Sequence, residues 1–250
     1  MTLQEFFQEN PKAALAFSGG CDSSYLLYAA RQYGAQVRAY FVKTAFQPDF
    51  ELQDARRLAR ELGADLKVLE LDALEDETVR ANPANRCYHC KKHIFGSILE
   101  TARADGYSLI LDGTNASDQV ADRPGMKALQ ELSVRSPLRE AGLTKQEIRE
   151  KSRQAGLFTW EKPAYACLAT RIPTGTSITL SMLQRTEWAE GCLMQLGFRD
   201  LRVRQLGNLA RVQLPQDQMD AFLARREEIT KVLKTRYDGV LLDMEARNGQ

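Results

Sequence analysis

Nowhere in these 250 residues do about 18 apolar side chains run together, the length that a membrane-crossing helix needs. The stretch from Met1 to Asn10 is polar and acidic, without the basic-then-apolar pattern of a secretory signal. No membrane association is therefore expected, and the cytoplasm is the expected compartment. An excess of one charge is missing as well, because 34 basic and 33 acidic side chains leave a formal +1. Such a chain has no overall field that draws in nucleic acid, so any phosphate or RNA site must be local. Cysteine is sparse: Cys21, Cys87, Cys90, Cys167 and Cys192 are all there is. In a reducing compartment these argue against a disulfide framework and for metal, cluster or thiol chemistry. Internal repeats and low-complexity tracts are absent too.

What is present suits a packed α/β protein, with 44% hydrophobic and 27% charged residues. Ala13 to Phe17 reads as a strand, Ser18-Gly19-Gly20 as a tight loop, and the apolar spacing of Leu26, Leu27, Ala30 and Tyr33 as a helix. Gln36–Lys43 and Leu66–Leu71 read as further strands, with a helix over Phe50–Leu62 between them. This alternation predicts a parallel sheet covered on both faces. The pattern lapses through Asn82, Pro83 and Asn85, and a helix restarts near Cys90 and runs to about Ala104. Leu109-Ile110-Leu111 is another buried strand, ending in Asp112-Gly113-Thr114-Asn115. Thr144 with Glu147 three residues on is a capping box for a helix to about Ala155. After Pro173–Gly175 the texture changes to helix (Ser181–Leu196), two strands (Leu201–Gln205, Leu209–Leu214), helix (Gln216–Leu233) and strand (Gly239–Asp243). The expected domains are residues 1–175, doubly wound and mostly parallel, and residues 176–250, a smaller α+β unit.

Ser18-Gly19-Gly20-Cys21-Asp22-Ser23 joins a strand to a helix start, where backbone N–H groups and the helix dipole make a site for phosphate oxygens. Glycines let the backbone come close to an anion. The lysine and the spacing of a Walker A loop are missing, which disfavours a kinase or GTPase. The run resembles the Ser-Gly-Gly-x-Asp-Ser signature of the PP-loop ATP pyrophosphatases. That resemblance implies a HUP-like doubly wound fold whose loop holds the pyrophosphate leaving group with Mg2+. Gly113 and Thr114, with Asp118 nearby, stand at a strand's carboxyl end, where open α/β sheets bind ligands, and are similar to that family's second nucleotide-facing motif.

Cys87-Tyr88-His89-Cys90 is a C-x-x-C that two thiolates could use on one metal or cluster iron. A redox dithiol and a structural zinc, completed from His89, His93 or Cys167, are the alternatives. Cys167 lies in a loop between Pro163 and Pro173 with Arg171 nearby, a setting for a nucleophilic thiolate, or for a buried structural cysteine. Cys192, within a helix stripe, reads as core. Arg202 and Arg204, two apart on a strand, share a face and are candidates for a substrate phosphate, with Arg171 and Arg123; a solvated strand face is the other reading. Glu187 and Glu190, three apart on a helix, are weaker candidates for a divalent ion, or are simply solvated.

Taken together, the phosphate loop, Asp112-Gly113-Thr114-Asn115, Arg123-Pro124-Gly125, Ser136-Pro137-Leu138, Glu140-Ala141-Gly142-Leu143-Thr144 and Cys167-Leu168-Ala169-Thr170-Arg171-Ile172-Pro173 resemble the LarE sulfur transferases over essentially the whole chain. The resemblance implies adenylation by ATP of a carboxylate of pyridinium-3,5-biscarboxylic acid mononucleotide, then replacement of AMP by sulfur. Such a product feeds the nickel-pincer nucleotide cofactor of lactate racemase. It implies Asp22 and Cys167 as catalytic residues, and Ser18, Gly19, Gly20, Asp22, Ser23, Gly113, Thr114 and Asp118 as the ATP site. It also implies a homo-oligomer that acts on a small nucleotide and not on nucleic acid. Two sulfur sources are known in the family, sacrifice of the cysteine matching Cys167 and a sulfide on a 4Fe-4S cluster held by three cysteines. Cys87, Cys90 and Cys167 favour the cluster. A PP-loop tRNA thiolase and an ATP-binding regulator without turnover are the rival functions.

Overall fold

The computed structural model describes residues 1–118 and 124–247. It divides into two compact units: Met1–Ala73 with Asn85–Lys162, and Leu74–Ala84 with Pro163–Gln250. Pro173 to Gly175, where the sequence texture changes, thus lies inside the second unit.

Along the chain, α1 (Leu3–Glu9) carries a Thr2/Glu5 capping box and leads into β1 (Lys12–Ala16), α2 (Cys21–Gln32), β2 (Gln36–Lys43), α3 (Asp49–Glu61) and β3 (Asp65–Glu70). The short α4 (Glu77–Ala81) belongs to the second unit. The first unit resumes with α5 (Arg86–Ala104), β4 (Ile110–Leu111), α6 (Pro124–Glu131), α7 (Pro137–Glu140) and α8 (Lys145–Gln154), the last opened by the expected Thr144/Glu147 box. Helix α5 starts four residues before Cys90, so both cysteines of the C-x-x-C lie in its opening turns.

The first unit's sheet has the order β3-β2-β1-β4, all parallel, with Ala14 beside Ile110 and Leu15 beside Leu111. Side chains alternate across each strand, and each face is covered. Ala13, Leu15, Val37, Ala39 and Phe41 pack on one side with Leu26, Leu27 and Leu58, while Ala14, Tyr40, Val42 and Ile110 pack on the other with Ile98 and Ala102 of α5. This is the doubly wound α/β architecture of the PP-loop enzymes. Strand order reverses between β1 and β4, and a ligand crevice opens beyond the carboxyl ends of the strands at that point.

The second unit contains α9 (Leu180–Gln195), β5 (Arg202–Leu206), β6 (Leu209–Gln213), α10 (Met219–Ala224), α11 (Arg226–Leu233) and β7 (Gly239–Leu242). Its sheet is β5-β6-β7, antiparallel then parallel, over a core of Leu193, Val203, Val212, Phe222 and Leu233. The single helix expected over Gln216–Leu233 is broken at Arg225, which leaves helical geometry (φ −102°, ψ 17°) and donates from Nη1 to the Leu196 carbonyl at 2.6 Å. No helix among the described residues is long and apolar enough to cross a membrane.

Candidate functional site

Beyond β1 the backbone turns through Gly19 at φ +70°, where a Cβ would meet that of Ala55 at 3.2 Å. Gly20 is the N-cap of α2 (φ −81°, ψ 169°) and brings no side-chain cap of its own. Serines brace the turn: Ser18 Oγ accepts from Gly20 N at 3.3 Å and lies 3.0 Å from Ser23 Oγ, which donates to the Gly20 carbonyl at 3.2 Å. The first N–H groups of α2 are thereby presented at the mouth of the crevice, with the positive end of its dipole. Lys162 closes the other side, donating to the Gly19 carbonyl at 3.4 Å and pairing with Asp54 at 2.7 Å.

Asp22 is held at Oδ2 by Lys145 Nζ at 2.6 Å, while its Oδ1 is buried with no hydrogen-bond partner among the described residues. Burial pushes the Asp22 carboxyl above the usual aspartate range, and the Lys145 charge only partly offsets it. An ionised oxygen buried without a donor is costly, and a cation is the kind of group that suits it.

Across from this loop, β4 delivers Asp112, whose Oδ1 accepts from Ser136 Oγ at 2.6 Å and whose Oδ2 accepts from Thr114 Oγ1. Asp118 accepts from Asn115 N at 3.0 Å, and its carbonyl takes Arg139 Nη2 at 2.9 Å. Gly113 touches the helix start directly: a Cβ there would sit 2.9 Å from Ser23 N. Between the two motifs lies a cleft of about 300 Å³ lined by Ser18, Gly20, Asp22, Asp112, Thr114 and Asp118, with Lys91 and Phe95 of α5 on its rim. A second, mainly apolar hollow of about 150 Å³ shares Ser18 and Phe95 and extends over Phe17, Val42 and Ile98.

In α5, Cys87 and Cys90 stand three apart on one helical face, and Arg86 Nη2 donates to Cys87 Sγ at 3.8 Å. All five cysteines are outside disulfides. Among the described residues no three His, Cys, Asp or Glu side chains are grouped to hold a metal ion.

In the second unit, Cys167 is half-exposed and precedes a 3-10 turn, Leu168–Arg171. Arg171 lies in the interior. It is fully buried, pairs through Nε with Glu190 at 2.8 Å, and gives Nη1 to the carbonyls of Ala166 (2.7 Å) and Cys167 (3.2 Å). Burial presses this guanidinium toward the neutral form, but the bonds and charge of Glu190 outweigh it and raise its pKa. Arg171 thus binds Glu190 and the loop's backbone, and it also lines the cleft beside Arg204 and interacts electrostatically with Cys167. Glu190, expected on a solvated face or at an ion, is 1% exposed and accepts from Arg171, Tyr165 and Val203 N. Its carboxylate is occupied by protein donors. Glu187 is half-buried on the same helix.

Arg202 is also interior, with Nη2 on the Ala164 carbonyl at 2.6 Å, and burial among like charges lowers its pKa to about 10. Arg204 donates to the Thr170 carbonyl (2.7 Å) and Gln213 (2.6 Å) and borders a polar cleft of about 280 Å³ with Thr170, Thr174 and Arg211. Arg204 and Arg211 are direct cross-strand partners, and burial together with nearby Arg171 and Arg211 lowers the Arg204 pKa. Arg211 is itself paired with Asp243 at 2.6 Å, which offsets part of the repulsion between the two arginines. Arg123 lies outside the described residues.

The family model for "Queuosine biosynthesis protein QueC" matches residues 12–88. Over 236 residues the chain is 32% identical to the pyridinium-3,5-bisthiocarboxylic acid mononucleotide synthase of Lactiplantibacillus plantarum, covering 94% of this chain and 86% of that protein. It is 38% identical over 224 residues to uncharacterized protein slr1717 of Synechocystis (88% and 83%), and 30% identical over 232 residues to uncharacterized protein MJ0830 of Methanocaldococcus jannaschii (93% and 88%). The chain belongs to the LarE family. As a LarE chain with a PP-loop it is an ATP-dependent sulfurtransferase, and ATP with Mg2+ is what its family uses.

Sequence reasoning missed Lys91, Phe95, Lys145 and Lys162 around the LarE phosphate loop, and Tyr165 and Arg211 in the second unit. Lys145 carried a usable signal, since the capping box fixes the first turn of α8, but no local pattern says that this turn meets Asp22 across 123 residues. Lys162 and Tyr165 flank Pro163 in an irregular stretch without periodicity.

Proposed function

We propose that this chain adenylates a carboxylate of pyridinium-3,5-biscarboxylic acid mononucleotide and exchanges the AMP for sulfur, giving the thiocarboxylate used in the nickel-pincer cofactor of lactate racemase. The observation that carries the adenylation step is the buried Oδ1 of Asp22, without a donor among the described residues, in the first turn of α2. In this reading, Ser18, Gly19, Gly20 and Ser23 hold the β- and γ-phosphates through the loop and the first N–H groups of α2. Asp22 and Asp118 would hold Mg2+, whose charge would offset that of the leaving pyrophosphate. Gly113 and Thr114 face the nucleotide, and the apolar hollow around Phe17, Val42 and Phe95 takes the base. A carboxylate oxygen of the substrate attacks the α-phosphorus, the bond to pyrophosphate breaks, and AMP is left on the carboxyl carbon as the leaving group for sulfur.

For the second half, Arg204 grips the substrate's phosphate, while Arg171 and Arg202 shape the loop beside it. Cys87, Cys90 and Cys167 together have the donor set for a 4Fe-4S cluster, since three thiolates leave one iron open. Held by these three thiolates, such a cluster would supply sulfide-level sulfur as its chemistry. The proposal also includes a cytoplasmic location, a homo-oligomer, and a small nucleotide rather than nucleic acid as partner.

The test is anaerobic turnover with ATP, Mg2+ and the biscarboxylate nucleotide, assaying pyrophosphate, iron, sulfide and the mass of the protein. One pyrophosphate per thiocarboxylate and loss of both iron and repeated turnover in Cys87→Ala are expected. ADP with orthophosphate would overturn the adenylation, and a loss of about 34 Da at Cys167, that of hydrogen sulfide, would replace the cluster by sacrifice of the cysteine.

A further inference from the structure

The second unit buries an aromatic–ionic cluster directly behind the segment that carries Cys167. Tyr165 lies between two guanidinium groups, Arg171 at 4.7 Å and Arg202 at 5.0 Å from its ring centre. Its hydroxyl donates to Glu190 Oε2. Glu190 also accepts Arg171 Nε at 2.8 Å and Nη2 at 3.1 Å, and the Val203 backbone N–H at 2.8 Å. Arg202 leans in addition on Asp200 at 3.8 Å and on its neighbour's carbonyl, that of Leu201, at 2.7 Å. The outer ends of both arginines close on one stretch of backbone. Arg202 takes the Ala164 carbonyl, and Arg171 takes those of Ala166 and Cys167. Three carbonyls within four consecutive residues are thereby held by two buried cations. The Cys167 carbonyl also receives Thr170 N at 3.0 Å and Thr170 Oγ1 at 2.8 Å.

A buried ion pair is a poor source of stability, since well-packed apolar side chains of the same volume usually do as well. What it provides here is direction, because a guanidinium fork fixes the carbonyls it binds in both distance and plane. The loop has no regular secondary structure before Leu168 to do that job.

We propose that Tyr165 and Glu190 are positioning residues for Cys167: Glu190 orients Arg171, Tyr165 spaces Arg171 from Arg202, and the two arginines hold the loop so that the thiol keeps one orientation. This deepens the proposed function and rests on its reading of Cys167 as a sulfur-handling residue. Neither side chain touches the reacting atoms.

Two variants separate this from a purely structural role. Tyr165→Phe keeps the ring between the guanidinium groups and removes only the hydroxyl, and Glu190→Gln keeps volume and removes charge. The full chain, stripped of iron by chelation, is alkylated with iodoacetamide, and mass spectrometry follows Cys167 and, as a control in the same unit, Cys192. Cys167 is expected to react roughly ten- to a hundredfold faster in Tyr165→Phe, the change in loop opening that follows loss of one hydrogen bond to an ionised group. Cys192 stays at the wild-type rate, and in turnover kcat for the thiocarboxylate falls with KM for ATP unchanged. An unchanged Cys167 rate overturns the proposal. So does a parallel rise at Cys167 and Cys192, which means that the whole unit has loosened. Should Glu190→Gln not fold, Tyr165→Phe alone decides. If Cys167 accelerates alone while thiocarboxylate formation is untouched, the positioning stands and the sulfur-handling reading of Cys167 fails.

Discussion

Replacing Gly113 by alanine puts one methyl group where the two nucleotide-facing motifs meet. The new Cβ would lie 2.9 Å from Ser23 N, 3.2 Å from Ser23 Cα and 3.4 Å from Asp22 C, all backbone atoms in the first turn of α2. Gly113 is not among the residues with positive φ, so the effect is steric and not conformational. Reaching the 3.4 Å at which ordinary contact begins needs 0.5 Å of movement, and no flexible side chain is there to yield. The movement must come from the loop or from the helix start. Overpacking of this kind costs about 1–3 kcal/mol of stability. Since a misplacement of about 1 Å in a reacting group costs about a hundredfold, half of that implies roughly a tenfold loss in pyrophosphate release. Gly191→Ala is the control, because a Cβ there meets nothing within 4 Å in the middle of α9, and it should stabilise by about 0.5–1 kcal/mol. Pyrophosphate release by steady-state assay and urea unfolding give both numbers. A Gly113→Ala enzyme with wild-type kcat/KM for ATP would refute the idea that the packing of Gly113 on Ser23 sets the geometry of the phosphate loop.

Asp22→Asn should abolish pyrophosphate release yet stabilise the fold at neutral pH. Burial raises the Asp22 pKa, so its ionisation opposes folding, and wild-type stability from this group is intact below the ordinary value of 3.8 and lost as pH rises through the folded value. The variant's advantage in urea unfolding should therefore grow from about pH 4 upward, and a flat difference would contradict the burial argument. Glu190→Ala leaves Arg171 buried and unpaired and should cost about 3–5 kcal/mol in chemical denaturation, whereas a solvated glutamate would cost almost nothing. Arg204→Ala should weaken the phosphate-bearing substrate by about 1–3 kcal/mol in calorimetry with ATP binding unchanged, while Arg202→Ala should show mainly as lost stability; equal effects on substrate affinity would return both to one role.

Much of the first unit could be read residue by residue because its signals are local. A strand leading into Ser-Gly-Gly and a helix that starts directly after Gly20 need only their neighbours, and β2 has the bounds expected of it, Gln36–Lys43. Helix boundaries slipped where caps are weak, as at Asn85, which provides no side-chain bond to the first turn of α5. In the second unit the spacing of Arg202 and Arg204 correctly gave one strand face, yet the two arginines have different surroundings on it. Period 2 fixes the side of a sheet but not the depth at which a side chain ends.

By itself the sequence determined the alternation of the main strands and helices, the phosphate loop and its opposite motif, and, through motifs spread over the whole chain, the family, but not the short helices α1, α4, α6 and α7. Only the tertiary structure decided which charged side chains are interior. Glu190, Arg171 and Arg202 look like solvated residues in the sequence because hydropathy counts a charge without its partner. They are buried because Tyr165, Val203 and the carbonyls of Ala164, Ala166 and Cys167 reach them from positions 13 to 38 residues away or from across the loop. Likewise one oxygen of Asp22 has no donor among the described residues because Lys145, 123 residues on, satisfies just one side of its carboxylate. Burial is a sum over the whole neighbourhood, and that sum exists only once the chain has folded.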